Sequence, residues 1–190
     1  FKSLGNKYWD ENYNSWERDK DGYYYTFDQN PFYDLKYTES FIPNREKFVV
    51  TKLSVTQHLI KYLKIANNPK TKNRDYYYFL VANCYLSMTE YGNSWMMRRY
   101  STTSDYYEND DYQSFVDEIE YRNANLAQKY YHLAFENAKT TKFKALCLRM
   151  EDYAKDNVMS DYPKLKSAYP DYFKDLSSCD NLEDYFKARR

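Results

Sequence analysis

Residues 75–93 read DYYYFLVANCYLSMTEYGN and contain the clearest helical pattern in the chain. Large, aliphatic and small side chains recur at helical spacing, so that they share one face. The spacing predicts a helix over residues 74–91. Gly92 follows it at the position where helices commonly end in a left-handed residue. The stretch therefore indicates a helix that packs closely against a second one.

Three segments carry patterns that are typical of tetratricopeptide repeats, in which paired helices approach through small residues. The first-helix pattern, a large, a medium, a small and an aromatic residue, is matched by Tyr78, Val81, Ala82 and Tyr85. The second-helix pattern is matched by Ala127, Tyr131 and Ala134. A large, medium, small, large order recurs at Phe143, Leu146, Cys147 and Met150. The predicted fold class is mainly α, built from antiparallel helical hairpins of this type.

Further helices follow from periodicity and from chain-breaking residues. The longer ones are predicted over residues 46–66, 115–139 and 141–157, and shorter ones over 162–168, 171–176 and 182–188. The stripe on 46–66 that is expected to face the core consists of Val49, Leu53, Thr56, Ile60 and Leu63, widened by Leu59 and Ala66. This gives a helical domain over 45–190, with an insertion at about 93–114.

Residues 1–44 form an aromatic, partly irregular segment. A helix is predicted over 1–18. Residues 23–44 are expected to be extended or irregular because Pro31 and Pro43 oppose helix, with a short strand at 23–27 as an alternative. One pattern has the spacing of a calcium loop, and its oxygen ligands would be Glu17, Asp19, Asp21 and Asp28. The first and last positions depart from the usual residues, so a solvated turn is the favoured interpretation and no metal is predicted.

Composition excludes several function classes. The 28 basic and 28 acidic residues balance, so no global field favours nucleic acid. No apolar run is long enough for a transmembrane helix. Three cysteines without a C-x-x-C pair, and no nucleophile–histidine order or glycine-rich phosphate loop, give no basis for a catalytic site or a cofactor. The expectation is a protein that is not an enzyme. Its 25 tyrosines favour thin, amphipathic helical layers.

Several short tracts together resemble uncharacterised tetratricopeptide-like proteins of the Bacteroidota cell envelope. The tracts are NPF at 30–32, ANCYLSMTEYGNSW at 82–95, a helical hairpin at 126–154, YPKLKSAYPDYF at 162–173 and the final Cys179. The resemblance implies the C-terminal helical-repeat part of a larger envelope protein, periplasmic or membrane-associated. Because residues 149–151 read Arg-Met-Glu in place of a cysteine-bearing segment, no cysteine-based role is carried over.

The leading functional hypothesis is a non-enzymatic scaffold or adaptor that binds another protein in an envelope assembly. The predicted partner-binding residues are the aromatics Tyr91, Trp95, Tyr100, Tyr106 and Tyr107. Trp95 has a structural alternative, in which it only plugs the base of the helical pair. The other hypothesis is a glycan-binding module, which requires several exposed, coplanar Tyr or Trp rings.

Overall fold

The computed structural model describes residues 29–36, 38, 40–43, 46–98, 118–156 and 161–190, together with the backbone of two short strands. It is mainly helical, which confirms the predicted fold class at that level. Strands β1 (Lys7–Trp9) and β2 (Tyr24–Thr26) pair antiparallel, with Tyr8 opposite Tyr25. The helix predicted over 1–18 is therefore wrong at 7–9, and its other residues lie outside the described part.

Eight helices pack largely in the order in which they follow along the described chain. They are α1 (Lys52–Asn67), α2 (Arg74–Ser87), α3 (Glu118–Asn123), α4 (Asn125–Asn137), α5 (Thr141–Asp156), α6 (Pro163–Ala168), α7 (Pro170–Leu176) and α8 (Leu182–Lys187). Helix α1 packs on α2, α2 on α4, and α4 on α5, while α6, α7 and α8 contact α5. Helix α1 thus lies at one end of the stack, which determines where a further element could dock.

Helix α2 lies at the centre of the core. Most of its residues are buried, including the predicted face residues Tyr78, Val81 and Ala82. It ends at Ser87, earlier than predicted, because residues 88–94 fold back on its last turn. There the Ser94 amide donates to the Ser87 carbonyl at 2.8 Å.

The expected left-handed conformation of Gly92 is not found. Glycine is instead required there by close approach, since a Cβ atom at residue 92 would lie 2.1 Å from the carbonyl oxygen of Ser87. The position therefore excludes any side chain for a packing reason.

The helix predicted over 115–139 is interrupted within the described residues. Ala124 has a left-handed backbone (φ 50°) and separates α3 from α4. The Glu120 carboxylate accepts a 2.8 Å hydrogen bond from the Leu126 amide, which satisfies a donor in the first turn of α4. The face predicted from small residues is confirmed, since Ala127, Tyr131 and Ala134 are fully buried. A local cap thus breaks the helix and leaves its packing face intact.

Residues 29–43 contain no helix or strand at the positions that the structure describes, yet they contribute to the same core as α2. The amide of Phe32 donates to Oδ1 of Asn30, forming a tight turn around Pro31. Nδ2 of Asn83 donates to the Phe32 carbonyl at 2.9 Å. This segment is irregular but buried, because side chains of α2 satisfy its backbone.

The C-terminal end of the chain returns to the start of α2. The Arg189 guanidinium lies 3.5 Å from the Asp75 carboxylate, and both side chains are almost fully buried. The same guanidinium lies over the ring of Tyr76, 4.9 Å from its centroid. The Thr140 hydroxyl donates to the Ala188 carbonyl at 2.8 Å. Helix α8 is therefore joined to both α2 and the start of α5.

Candidate partner-binding surface

The start of α1 is fixed by a reciprocal cap. The Ser54 amide donates to Oγ1 of Thr51 at 3.1 Å, and the Thr51 amide donates to Oγ of Ser54 at 2.9 Å. The Ser54 hydroxyl also contacts the Val49 carbonyl oxygen at 2.7 Å. Two of the orphan donors at this helix start are satisfied in this way. The cap also holds the chain before α1 against the helix, so Val49 has a defined position.

One face of α1 packs into the core. Val55, Tyr62 and Ala66 are fully buried. The Tyr62 ring meets Phe32 edge to face, with centroids 4.9 Å apart. The Tyr62 hydroxyl donates to the Glu46 carboxylate at 3.2 Å. This face attaches α1 to α2 and to the irregular segment at 29–43.

A second apolar surface, formed by α1 and by Val49 just before it, is exposed. Val49 is 82% exposed, Leu53 68% and Ile60 48%. We call these three residues, with the exposed Thr56 between them, the outer stripe. The prediction that the stripe on 46–66 faces the core is wrong for Val49, Leu53, Thr56 and Ile60. Its other residues do contact the core: Ala66 is fully buried, and Leu59 and Leu63 are partly buried. Val55, Tyr62 and Ala66, which are fully buried, also recur at helical spacing. Periodicity cannot choose between two apolar faces on one helix.

The surroundings of the outer stripe are basic. Residues 46–73 contain six lysines and one acidic residue, Glu46. Glu46 accepts a 2.8 Å hydrogen bond from Lys61. Burial opposes ionisation of this carboxyl, but the hydrogen bond and charge of Lys61 outweigh it and lower the pKa of Glu46. Lys47 and Lys64 remain exposed beside the stripe. The surface combines aliphatic side chains with positive charge.

The predicted partner-binding aromatics lie elsewhere. Trp95 is 3% exposed and belongs to the hydrophobic core, which favours the alternative that it plugs the helical pair. Tyr91 is half-buried. The remaining three, Tyr100, Tyr106 and Tyr107, lie outside the described residues, as do the calcium candidates Glu17, Asp19, Asp21 and Asp28. Sequence reasoning missed the outer stripe as a surface, although it had already identified the same residues as apolar.

Stacked tyrosines join α2 to α4. The rings of Tyr85 and Tyr130 are nearly parallel, with centroids 5.4 Å apart, and Tyr78 stacks on Tyr130 at 6.2 Å. Burial raises the pKa of both Tyr85 and Tyr130. Because Tyr130 lies between two neighbours, its faces are covered by protein. A sugar stacks on a free ring face, so this ladder serves helix packing and does not favour glycan binding.

A polar cluster lies between α4, α5 and α6. The buried Glu151 carboxylate pairs with Lys164 and lies 3.2 Å from Nδ1 of His132. Oδ2 of Asp152 accepts hydrogen bonds from the amides of Lys164 and Leu165, at 2.9 and 3.1 Å. Every one of these contacts joins one helix to another. The cluster is most simply a connection between helices, and no nucleophile is part of it.

The buried cysteines do not add chemistry to the site. Cys84 and Cys147 are fully buried, and desolvation raises the pKa of each thiol far above its ordinary range. Both therefore behave as small apolar side chains, as their places on apolar helix faces predicted. Among the residues that the structure describes, no three His, Cys, Asp or Glu side chains are grouped so as to hold a metal ion.

Comparison with known proteins gives no match to a family model, to a curated protein or to a solved structure. In the described part of the chain, every helix is too short or too polar to cross a bilayer.

Proposed function

We propose that this protein is a non-enzymatic scaffold or adaptor that binds another protein, and that the partner docks on the outer stripe of α1. The observation that carries this proposal is the exposure of Leu53 and Ile60 on α1, together with Val49 just before the helix. Single exposed aliphatic residues are common, but a contiguous group of them marks an interaction site.

The position of α1 in the stack supports the same function. Helical-repeat proteins bury each helix between neighbours, and their end helices normally present a polar outer face. Within the described part of the chain, the contacts of α1 are on its inner face, with α2 and with residues near Phe32. Its outer face instead carries the exposed aliphatic residues Leu53 and Ile60 among polar ones. We propose that α2 and α4 form a tetratricopeptide-like hairpin, that α5 begins the next one, and that a partner extends the stack beyond α1.

The proposed setting is a cell-envelope assembly, periplasmic or membrane-associated. It follows from the resemblance of residues 82–95 and 126–154 to tetratricopeptide-like proteins of the Bacteroidota. In such a setting a helical adaptor would hold two envelope components together through its faces.

A site-specific cross-linking experiment tests this function. A photoreactive amino acid replaces Ile60 in one variant and Ile119, an exposed isoleucine on α3, in the control. Illumination in the source cell should give a covalent adduct with another envelope protein from position 60 and not from position 119. Leu53→Asp should abolish that adduct. If the protein is recovered from native membranes alone and without an adduct at position 60, the proposed function is wrong.

A further inference from the structure

The charge around the outer stripe defines the kind of partner. We propose that the segment that docks on α1 is an amphipathic α-helix with acidic residues along its borders. This inference rests on the proposed function and adds the chemistry of the partner to it. The juxtaposition that carries it is an aliphatic stripe, Leu53 and Ile60, beside exposed lysines on a chain whose total charge is balanced.

The shape of the stripe fits a helix. Leu53, Thr56 and Ile60 follow one another at spacings of three and four residues, so they lie along one ridge of α1. Between Leu53 and Ile60 the ridge runs about 10 Å, or two helical turns. Helices pack by placing such ridges into the grooves of a neighbour. A partner with apolar residues at the same spacings would cover the stripe over two turns.

The lysines beside the outer stripe favour a partner whose contacting surface is negatively charged. Residues 46–73 carry six lysines against one glutamate, while the whole chain balances 28 basic residues against 28 acidic ones. Lys64 lies one turn beyond Ile60 on the same side of α1, and Lys47 precedes Val49. The single acidic group, Glu46, is already engaged by Lys61 and Tyr62. Glu46 is therefore not available to Lys47 and Lys64, and acidic borders on the partner would complement these two exposed lysines.

An anionic membrane is the other surface that attracts a basic amphipathic helix, and the outer stripe is poorly suited to it. Helices that lie in a membrane interface generally place Trp, Phe and Leu on a broad apolar face. The outer stripe has aliphatic side chains over two turns and no aromatic one. The aromatic neighbours Phe48 and Tyr62 face inward, where Phe48 stacks on His58 at 3.9 Å and Tyr62 is fully buried. A narrow aliphatic ridge matches a helix better than a bilayer.

The test uses two synthetic peptides of about 15 residues, long enough to form a marginally stable helix. Both place Leu at positions that match the stripe; one has Glu along its borders and the other has Lys. Their binding to the full chain is followed by fluorescence anisotropy at low and at physiological ionic strength. The Glu peptide should bind at least tenfold more tightly than the Lys peptide. Its affinity should fall as salt is added, since exposed charges are screened.

Variants of the chain separate the two contributions. Ile60→Asp should weaken binding of the Glu peptide on the order of tenfold to a hundredfold. This is the loss of affinity expected when one aliphatic side chain is no longer buried in the complex. Lys47→Glu with Lys64→Glu should weaken it about fivefold and improve binding of the Lys peptide. The controls are Ile119→Asp and the double reversal Lys139→Glu with Lys174→Glu, which change exposed residues away from the stripe. Neither control should alter binding.

Each contrary result has its own meaning. Equal affinity for both peptides, unaffected by salt, overturns the acidic partner but leaves a protein-binding stripe in place if cross-linking from position 60 succeeds. Sedimentation with phosphatidylserine vesicles that depends on Ile60 and Lys64, without peptide binding, assigns the surface to a membrane and overturns the inference. Displacement of the Glu peptide by a synthetic peptide of residues 101–117 assigns the stripe to the chain's own acidic segment and also overturns it.

Discussion

The hydroxyl group of Tyr131 on α4 donates a 2.7 Å hydrogen bond to Oδ1 of Asn83 on α2. The same amide donates through Nδ2 to the Phe32 carbonyl, and all three residues are fully buried. One side chain thus joins three distant parts of the chain. A buried polar network of this kind stabilises only when each member is satisfied.

Removing one member of that network should therefore destabilise the protein. We expect Tyr131→Phe to lower the free energy of unfolding by about 1–2 kcal/mol, the cost of one lost hydrogen bond. Asn83→Leu should cost more, since it leaves the Tyr131 hydroxyl and the Phe32 carbonyl unpaired. Urea unfolding monitored by circular dichroism measures both. Tyr130→Phe, which changes a half-buried ring on the same helix, serves as the control and should stay within about 0.5 kcal/mol of the parent.

The ion pair between Asp75 and Arg189 should show strong coupling. Arg189→Met leaves the Asp75 carboxylate buried without its cation, and the expected cost is about 3–5 kcal/mol. The double variant Asp75→Asn with Arg189→Met should recover part of that loss, because no uncompensated charge remains. A double-mutant cycle from thermal unfolding gives the coupling energy. Additive effects of the two substitutions would contradict a functioning ion pair.

Gly92→Ala should destabilise the turn after α2. The added methyl group would overlap the backbone of Ser87, which cannot move without disturbing the end of α2. We expect a loss of about 1–3 kcal/mol, as for other overpacked sites. Ser94→Ala in the same turn is the contrast. The Ser94 hydroxyl is buried without a hydrogen-bond partner among the described residues, so its removal should be neutral or stabilising.

Small residues at helical spacing were the reliable part of the sequence signal. Ala82, Ala127 and Ala134 are fully buried where α2, α4 and α5 pack together. Such positions can be recognised within a single segment, because small residues repeated on one helical face are typical of a close contact between two helices. The central stack was predictable for this reason.

Other features depended on partners that are distant in sequence. The backbone of the buried residue Phe32 is hydrogen-bonded by Asn83, some 50 residues away. No pattern in the sequence around Phe32 predicts this contact. The choice of inner face on α1 depends on the rings that α2 and residues near Phe32 supply. The aromatics proposed as a binding surface from composition alone include Trp95, which the fold uses as a core residue. Exposure is a property of the assembled fold, so the surface of α1 could not be recognised from its sequence.

Acid should weaken the contribution of Glu46. Its pKa is lowered in the folded state by Lys61, so the stabilisation exists above the ordinary pKa of about 4.5 and is lost as the pH falls through the folded value. Glu46→Gln should consequently be less stable than the parent at neutral pH, and the difference should shrink below pH 4.5. Thermal unfolding midpoints of both proteins across this range test it. A constant difference would mean that the charge of Glu46 plays no part.

The contribution of Asp152 to stability should change with pH in the opposite direction to that of Glu46. Burial, which outweighs the hydrogen bonds from the amides of Leu165 and Lys164, raises the pKa of this carboxyl. A raised pKa means that the folded state binds the proton more tightly than the unfolded chain, so ionisation costs stability as the pH rises through the folded value. Asp152→Asn keeps an oxygen that can accept from the two amides and removes the charge.

The variant should therefore match or exceed the parent in stability at neutral pH. The difference should vanish at pH values below the ordinary pKa of 3.8, where both side chains are neutral. The two substitutions, Glu46→Gln and Asp152→Asn, thus act as controls for each other in one series of thermal unfolding curves. If Asp152→Asn instead lowers stability most at neutral pH, the carboxylate is favourably paired in its ionised form and desolvation does not dominate at this position.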